Sequence, residues 1–220
     1  MKIAIVSDVH GNLVALEAVL EDLDAVRPDL VVHGGDLAWR GPRPAECVDR
    51  IRELGWPGVI GNMDRALETH RHQFSIGWTA ERIGADRNAW LQSQPMEWRQ
   101  EDRLALVHAV PGDLWRGVPP DTDDGELRAI YGPLGAHLAV YCHIHRPYVR
   151  EIGGLTVANT GSVGLPYDGD PRSSYLLAAD GRFEIRRVAY DLERAAADAE
   201  AVGLPGAAKI TRAYRTATPP

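Results

Sequence analysis

From Lys2 to Ala158 the chain keeps to one pattern: a short apolar run stops, and a carboxylate, imidazole or amide residue follows. Lys2 to Ser7 leads to Asp8 and His10, Leu30 to His33 leads to Gly34-Gly35-Asp36, and Gly58 to Ile60 leads to Gly61-Asn62. Arg103 to Val107 leads to His108, and Leu138 to Tyr141 leads to Cys142-His143-Ile144-His145. Short apolar runs bounded by glycine or polar residues read as buried strands, and the longer amphipathic stretches between them as helices. Such alternation is the pattern of an α/β domain, whose strand ends converge on one sheet edge where ligands bind. Side chains far apart in sequence are therefore expected to be neighbours.

The rest of the chain is consistent with this reading. Asn12 is placed to cap a helix carrying Leu13, Leu16, Ala18, Leu20 and Leu23, and further helices are expected over Pro44 to Leu54 and Thr79 to Gln92. Leu155 to Ala158 reads as strand, and Ser174 to Ala179 and Arg182 to Tyr190 flank Asp180-Gly181, a hairpin signal. Asp191 to Val202 is an alanine-rich closing helix, with Thr216 to Pro220 expected as a frayed end. At 220 residues and 45% hydrophobic content the chain can bury one large core, and no repeat or linker divides it. Residues 1–220 are read as one domain, with 191–220 a helical segment and tail.

Composition limits the function classes. No run is long enough to cross a bilayer, and the N-terminal run meets Asp8 too soon for a signal-peptide core, so no membrane association and a cytoplasmic location are expected. Cys47 and Cys142 are too few for a disulfide framework. A formal charge of −7 argues against nucleic acid polymers, and an anionic substrate then needs local positive charge such as a metal. The alternating face of Arg182 to Tyr190 leaves a homodimer open.

Each polar residue at a strand end is ordinary by itself: a lone histidine there is commonly a satisfied polar group, and an asparagine after glycine a turn residue. Their joint occurrence is not ordinary. Asp8, His10, Asp36, Asn62, His108, His143 and His145 are too many donors for one small ion and suit two borderline cations sharing a carboxylate. Coordination would also offset the cost of desolvating them together. The spacing of two in Asp8-Val9-His10 and in His143-Ile144-His145 puts both side chains on one face while the backbone stays extended.

The ordered set Asp8-x-His10, Gly35-Asp36, Gly61-Asn62, His108 and Cys142-His-Ile-His145 resembles the five metal-binding blocks of the calcineurin-like metallophosphoesterase superfamily. Asn159-Thr-Gly-Ser-Val-Gly-Leu-Pro166 and Asp168-Gly-Asp-Pro171 are similar to a segment of its small bacterial phosphodiesterase and phosphatase members. The resemblance implies an α/β fold, a four-layer α-β-β-α sandwich of two mixed sheets flanked by helices. It implies two divalent transition-metal ions (Mn, Fe, Zn, Co or Ni), one held by Asp8, His10 and His145 and the other by Asn62, His108 and His143, with Asp36 bridging. It further implies hydrolysis of a small phosphate ester by attack of a metal-bound hydroxide. A dinucleoside polyphosphate hydrolase and a protein phosphatase remain as alternatives within the enzyme class, and a non-catalytic metal-binding interaction scaffold outside it. The full set of seven competent ligand positions favours catalysis.

Two departures from the family pattern narrow the chemistry. Many members carry a histidine after the asparagine as proton donor to the leaving group, and the protein-phosphatase branch orients it with a second aspartate; Met63 and Trp39 stand at those positions. A thioether donates no proton. General acid assistance is worth about 10² to 10⁴ in rate, so diesters and good leaving groups are the expected substrates. Arg40 is retained, and its fork suits phosphate, which makes it a catalytic candidate beside Asp36 and His143.

The remaining residues are read more plainly. Asp64 keeps a family position without an assigned role, His70 and His72 read as solvated, and Arg116, Arg146 and Arg172 as surface charge. Cys142 is expected in the core and His33 as a buried histidine bonded to backbone, while Trp39 and Trp115 are candidate substrate walls whose plainer reading is ordinary packing.

Overall fold

The first strand, β1 (Lys2–Val6), buries both faces: Ile3 and Ile5 enter one apolar cluster, Ala4 and Val6 another. That is the period of a pleated strand covered on each side. The alternation recurs in β4 (Leu104–Val107) and β5 (Leu138–Tyr141), where Leu104, Leu106, Leu138 and Val140 join Ile3 and Ile5 while Ala105, Val107, Ala139 and Tyr141 face a third cluster. Two sheets thus share one apolar interface, and each turns its other face to helices. The computed structural model describes residues 1–220.

One sheet runs β2 (Leu30–His33), β1, β8 (Ser173–Ala179), β9 (Arg182–Val188), with β1 and β2 parallel and the other pairs antiparallel. The other runs β3 (Glu97–Gln100), β4, β5, β7 (Leu155–Asn159), β6 (Tyr148–Ile152), parallel at its centre and antiparallel at both edges. Helices α1 (Leu13–Val26), α2 (Pro44–Glu53), α3 (Asn62–Thr69) and α4 (Phe74–Gln92) cover the first sheet through residues such as Leu16, Val48, Leu67 and Ile83. Helix α5 (Asp124–Tyr131) covers the second through Leu127 and Tyr131. Helices α6 (Leu192–Ala201) and α7 (Ala207–Thr216) pack together with Val14 of α1 and Leu165. The architecture is the mixed α-β-β-α sandwich expected.

Local chemistry accounts for several boundaries. Asn12 Oδ1 accepts the Ala15 N–H at 3.1 Å and starts α1, as Asp191 starts α6 by accepting from Arg194. Asp180 and Gly181 both take positive φ, 50° and 77°, which matches the twist of the β8–β9 hairpin.

Four expectations are corrected. Gly58 to Ile60 makes one bridge to His33 and is no strand, because Pro57 lacks an N–H and the chain turns at Gly61 into α3. The helix expected from Thr79 begins at Phe74 and breaks at Gly84, whose φ is 72°. The C-terminal end is anchored rather than frayed: Thr216 is helical, Ala217 is fully buried, and its carbonyl accepts the Gly169 N–H at 3.1 Å. His33 is buried but bonded to no carbonyl; neither ring nitrogen makes a hydrogen bond of good geometry, and the ring packs 5.8 Å from Trp90. No helix is long and apolar enough to cross a membrane.

Candidate metal centre

The loops that leave β1 and β2 continue the parallel pairing of the strands. Asp8 N donates to Gly35 O and His10 N to Asp36 O, both at 3.0 Å. Cys142 N donates to His108 O at 2.9 Å and joins the loops after β4 and β5; Gly164 N to Asp8 O and Tyr167 N to His145 O bring in the segment after β7. The extended backbone expected around Asp8, His10, His143 and His145 is not kept. Their φ values are 54°, 49°, 66° and 57°, and Asp36 and Arg40 follow at 54° and 79°. Left-handed backbone at non-glycine residues costs on the order of 1–3 kcal/mol each and persists where the surroundings hold it, as this hydrogen-bonded web does.

Asp8, His10 and His145 meet around one point. His10 Nδ1 lies 2.7 Å from Trp39 O and His145 Nδ1 2.5 Å from Leu165 O. A carbonyl only accepts, so both Nδ1 atoms carry a proton, and in the neutral rings Nε2 is the free donor atom. Those Nε2 atoms face each other at 3.2 Å. Asp8 Oδ1, buried without any donor, lies 3.2 Å from His145 Nε2 and 3.9 Å from His10 Nε2. Protonation does not relieve the conflict at His10, whose imidazolium is disfavoured by burial and by His145 to a pKa of about 3. Burial alone would raise the Asp8 carboxyl, but His145 and its other histidine neighbours hold it well below the usual range. Two imidazole nitrogens and a carboxylate oxygen, all buried, converge here, a donor set that fits a cation in place of protons.

A second convergence lies alongside. His108 Nδ1 donates to Gly34 O at 2.8 Å, leaving Nε2 to face Asn62 Oδ1 at 2.9 Å; His143 Nδ1 lies 3.1 Å from the same oxygen. Burial, aided by His108, lowers His143 to about 4. Burial works against His108 too, yet the carboxylates of Asp36 and Asp8 push it up, so this position favours positive charge. Asp36 Oδ1 accepts the Met63 N–H at 2.8 Å, while Oδ2 lies 3.7 Å from both His10 Nε2 and His108 Nε2. Asp8, His10 and His145 form one group with donor atoms within 4.8 Å of one another, and Asp8, Asp36 and His108 a second. All seven residues singled out in the sequence are thus brought into one contact network, and its carboxylate, imidazole and amide donors fit divalent cations.

The supports of this network were not visible as site residues. Asp64 is buried, with Oδ2 accepting the N–H groups of Asp36 at 2.7 Å and Gly61 at 3.3 Å and Oδ1 accepting that of Leu37 at 3.1 Å. Besides its family position, the signal available was an acid three residues after Gly61, where a helix start needs an acceptor. Burial and the nearby Asp36 push its carboxyl up to about 7. Ser7 Oγ donates to Asp8 Oδ2 at 2.7 Å, Ser162 Oγ to Asp8 O at 2.8 Å, and Asn159 Nδ2 to Cys142 O at 2.6 Å. Gly61 is required by close approach, since a Cβ there would collide with the Asp36 carboxylate.

An open cleft above the network is walled by Trp39, Arg40, Met63 and Tyr167. Tyr167 stacks on His145 at 4.3 Å and 17°, Arg40 Nη1 donates to its hydroxyl at 3.3 Å, and the Arg40 guanidinium lies 4.1 Å over the Trp39 ring. Trp115 is 51% exposed in the loop that follows His108. His70 lies with Trp115, ring centroids 6.0 Å apart, and His72 lies 5.9 Å beyond it. Arg116 and Arg172 are paired with Glu126 and Asp170, whereas Cys142 is buried between the sheets as expected.

Comparison with known proteins agrees with this geometry. Residues 1–182 match the model of the calcineurin-like phosphoesterase superfamily domain. The chain is 32% identical to an uncharacterised protein of Methanocaldococcus jannaschii over 88% of its own length and 89% of that protein's, and 29% identical to phosphodiesterase YfcE of Escherichia coli K12 over 82% and 89%. A solved metallophosphoesterase from Sphaerobacter thermophilus superposes with a TM-score of 0.85 at 30% identity, covering 99% of both chains. With the double mixed sheet in place, the match over most of its length assigns the protein: it belongs to the calcineurin-like phosphoesterase superfamily.

Proposed function

We propose that the protein is a dinuclear metal-dependent phosphoesterase that favours phosphodiesters and esters of good leaving groups. The observation that carries this reading is Asp36 Oδ2, 3.7 Å from His10 Nε2 on one side and from His108 Nε2 on the other, between two sets of bare donor atoms. Asp8, His10 and His145 would hold one ion, Asn62, His108 and His143 the other, and Asp36 both. When bound, a pair of divalent cations makes water a nucleophile near neutral pH and neutralises phosphoryl oxygens.

The protein's own groups do the rest. Backbone carbonyls of Trp39, Leu165 and Gly34 fix the tautomers of His10, His145 and His108, so the correct nitrogen is presented without reorganisation. Arg40, held against Trp39 and Tyr167, orients a phosphoryl oxygen through its fork. Met63 lines the cleft where a proton donor would assist departure, and its thioether offers none. Substrates whose leaving group departs as a stable anion are then preferred.

The test is a manganese-supplemented panel of bis(4-nitrophenyl) phosphate, 4-nitrophenyl phosphate and glycerol phosphate. Turnover of the aryl esters should exceed that of the alkyl monoester by about 10² to 10⁴. Comparable rates would overturn the proposed preference, and no turnover of any ester would overturn the activity.

A further inference from the structure

Two cavities meet at the cleft. One is the cleft itself, and the other, about 270 Å³, is lined by Arg146 and by Pro119, Pro120 and Pro219. His143 and Tyr167 line both, so the second continues the first. Arg40 and Arg146 flank Tyr167: Arg40 Nη1 donates to its hydroxyl at 3.3 Å and Arg146 Nε to its carbonyl at 3.1 Å. The loop arginines Arg116 and Arg172 are neutralised by Glu126 and Asp170, but no acidic residue lines the Arg146 cavity.

In a chain with 31 acidic and 24 basic residues, two arginines free of carboxylate on either side of one tyrosine mark a locally positive groove. Nε of Arg146 is engaged, and the outer edge of its fork remains for a ligand. The prolines fix the walls, so little ordering is needed on binding.

We infer that this groove is a second phosphate subsite, taking a phosphate adjacent to the one being cleaved. This rests on the proposed function, in which the scissile phosphoryl lies at the Asp36 network with Arg40. Arg146 then grips the neighbouring phosphate in fork geometry, and the substrate class is a phosphoanhydride or a bisphosphorylated ester rather than a simple monophosphate.

Calorimetric titration of the manganese-loaded protein with ADP and with AMP isolates the second phosphate, with bis(4-nitrophenyl) phosphate turnover measured in parallel. Wild type should bind ADP about tenfold or more tighter than AMP, as a charge-assisted contact predicts. Arg146→Gln should erase that gap, leave AMP affinity unchanged and keep diester turnover within about twofold, since that diester carries one phosphate. No gap in wild type, or an unchanged gap in Arg146→Gln, would overturn the subsite. If Arg146→Gln loses metal, Arg146→Lys decides: a narrowed gap with AMP affinity intact supports the subsite, and an unchanged gap overturns it. A gap without diester turnover would overturn the proposed activity instead, so the two failures are distinguishable.

Discussion

The carboxylate of Asp64 accepts the backbone N–H of Asp36 at 2.7 Å, and through this bond a residue outside the candidate donor set fixes the strand end that carries the proposed bridging carboxylate. Its other oxygen takes Leu37 N–H, so the turn after β2 and the start of α3 are locked together. In Asp64→Asn an amide N–H₂ replaces one acceptor and leaves a buried N–H unpaired. The expected cost is about 1–3 kcal/mol in urea unfolding, with at least a tenfold loss of turnover as Asp36 drifts. Unchanged midpoint and turnover would show that the carboxylate is no support.

Metal binding should appear as stability. Asp8 Oδ1, His10 Nε2 and His145 Nε2 converge in a buried site, so an ion satisfies donor atoms that are gathered only in the folded state. At manganese concentrations about 100-fold above Kd the gain is about 2.7 kcal/mol, or roughly 5–10 °C in Tm. Thermal denaturation in EDTA and in manganese measures it, and His145→Ala should lose most of the shift.

His33 gives a pH dependence independent of metal. Burial lowers its pKa to about 4 from 6.5, so the folded state prefers the neutral ring and the unfolded state takes up the proton first. Its stability contribution is complete above pH 6.5 and lost as pH falls toward 4, about 1.4 kcal/mol per unit and about 3 kcal/mol in all. His10 and His143, also lowered, add slopes of the same sign in metal-free protein. Urea unfolding of metal-free wild type and His33→Gln at pH 7 and pH 5 isolates the term: the variant should lose less stability between the two.

Which parts of this were legible in the sequence follows from what leaves a trace there. Strands β1, β2, β4, β5 and β7 are buried and read as apolar runs. The edge strands β3 (Glu-Trp-Arg-Gln), with no buried residue, and β6 (Tyr-Val-Arg-Glu-Ile), which exposes alternate residues, show no such run. Helix α3 went unseen because it begins at Asn62, itself a ligand candidate, and α5 because eight residues with a glycine at the second give too short a stretch to show a helical period. The seven candidate donors were legible by residue type. Their supports include the carbonyls of Trp39, Leu165 and Gly34, and a carbonyl has no residue type; the left-handed backbone at Asp8, Asp36 and the histidines was hidden because none of these is glycine.

Met63 is only 9% exposed and sits at the cleft with its N–H on Asp36. Met63→His should supply the absent proton donor. The ratio of glycerol phosphate to bis(4-nitrophenyl) phosphate turnover is expected to rise about tenfold or more, toward the full value of general acid assistance. A histidine there that leaves the ratio unchanged would remove the leaving-group explanation.

The most direct test of the shared carboxylate is metal stoichiometry by atomic absorption on manganese-saturated wild type and Asp36→Asn. Two ions per wild-type chain, falling below two in the variant while its far-UV circular dichroism is retained, is the predicted result. A saturated wild type that holds one ion or none, or a variant that still holds two, would contradict it.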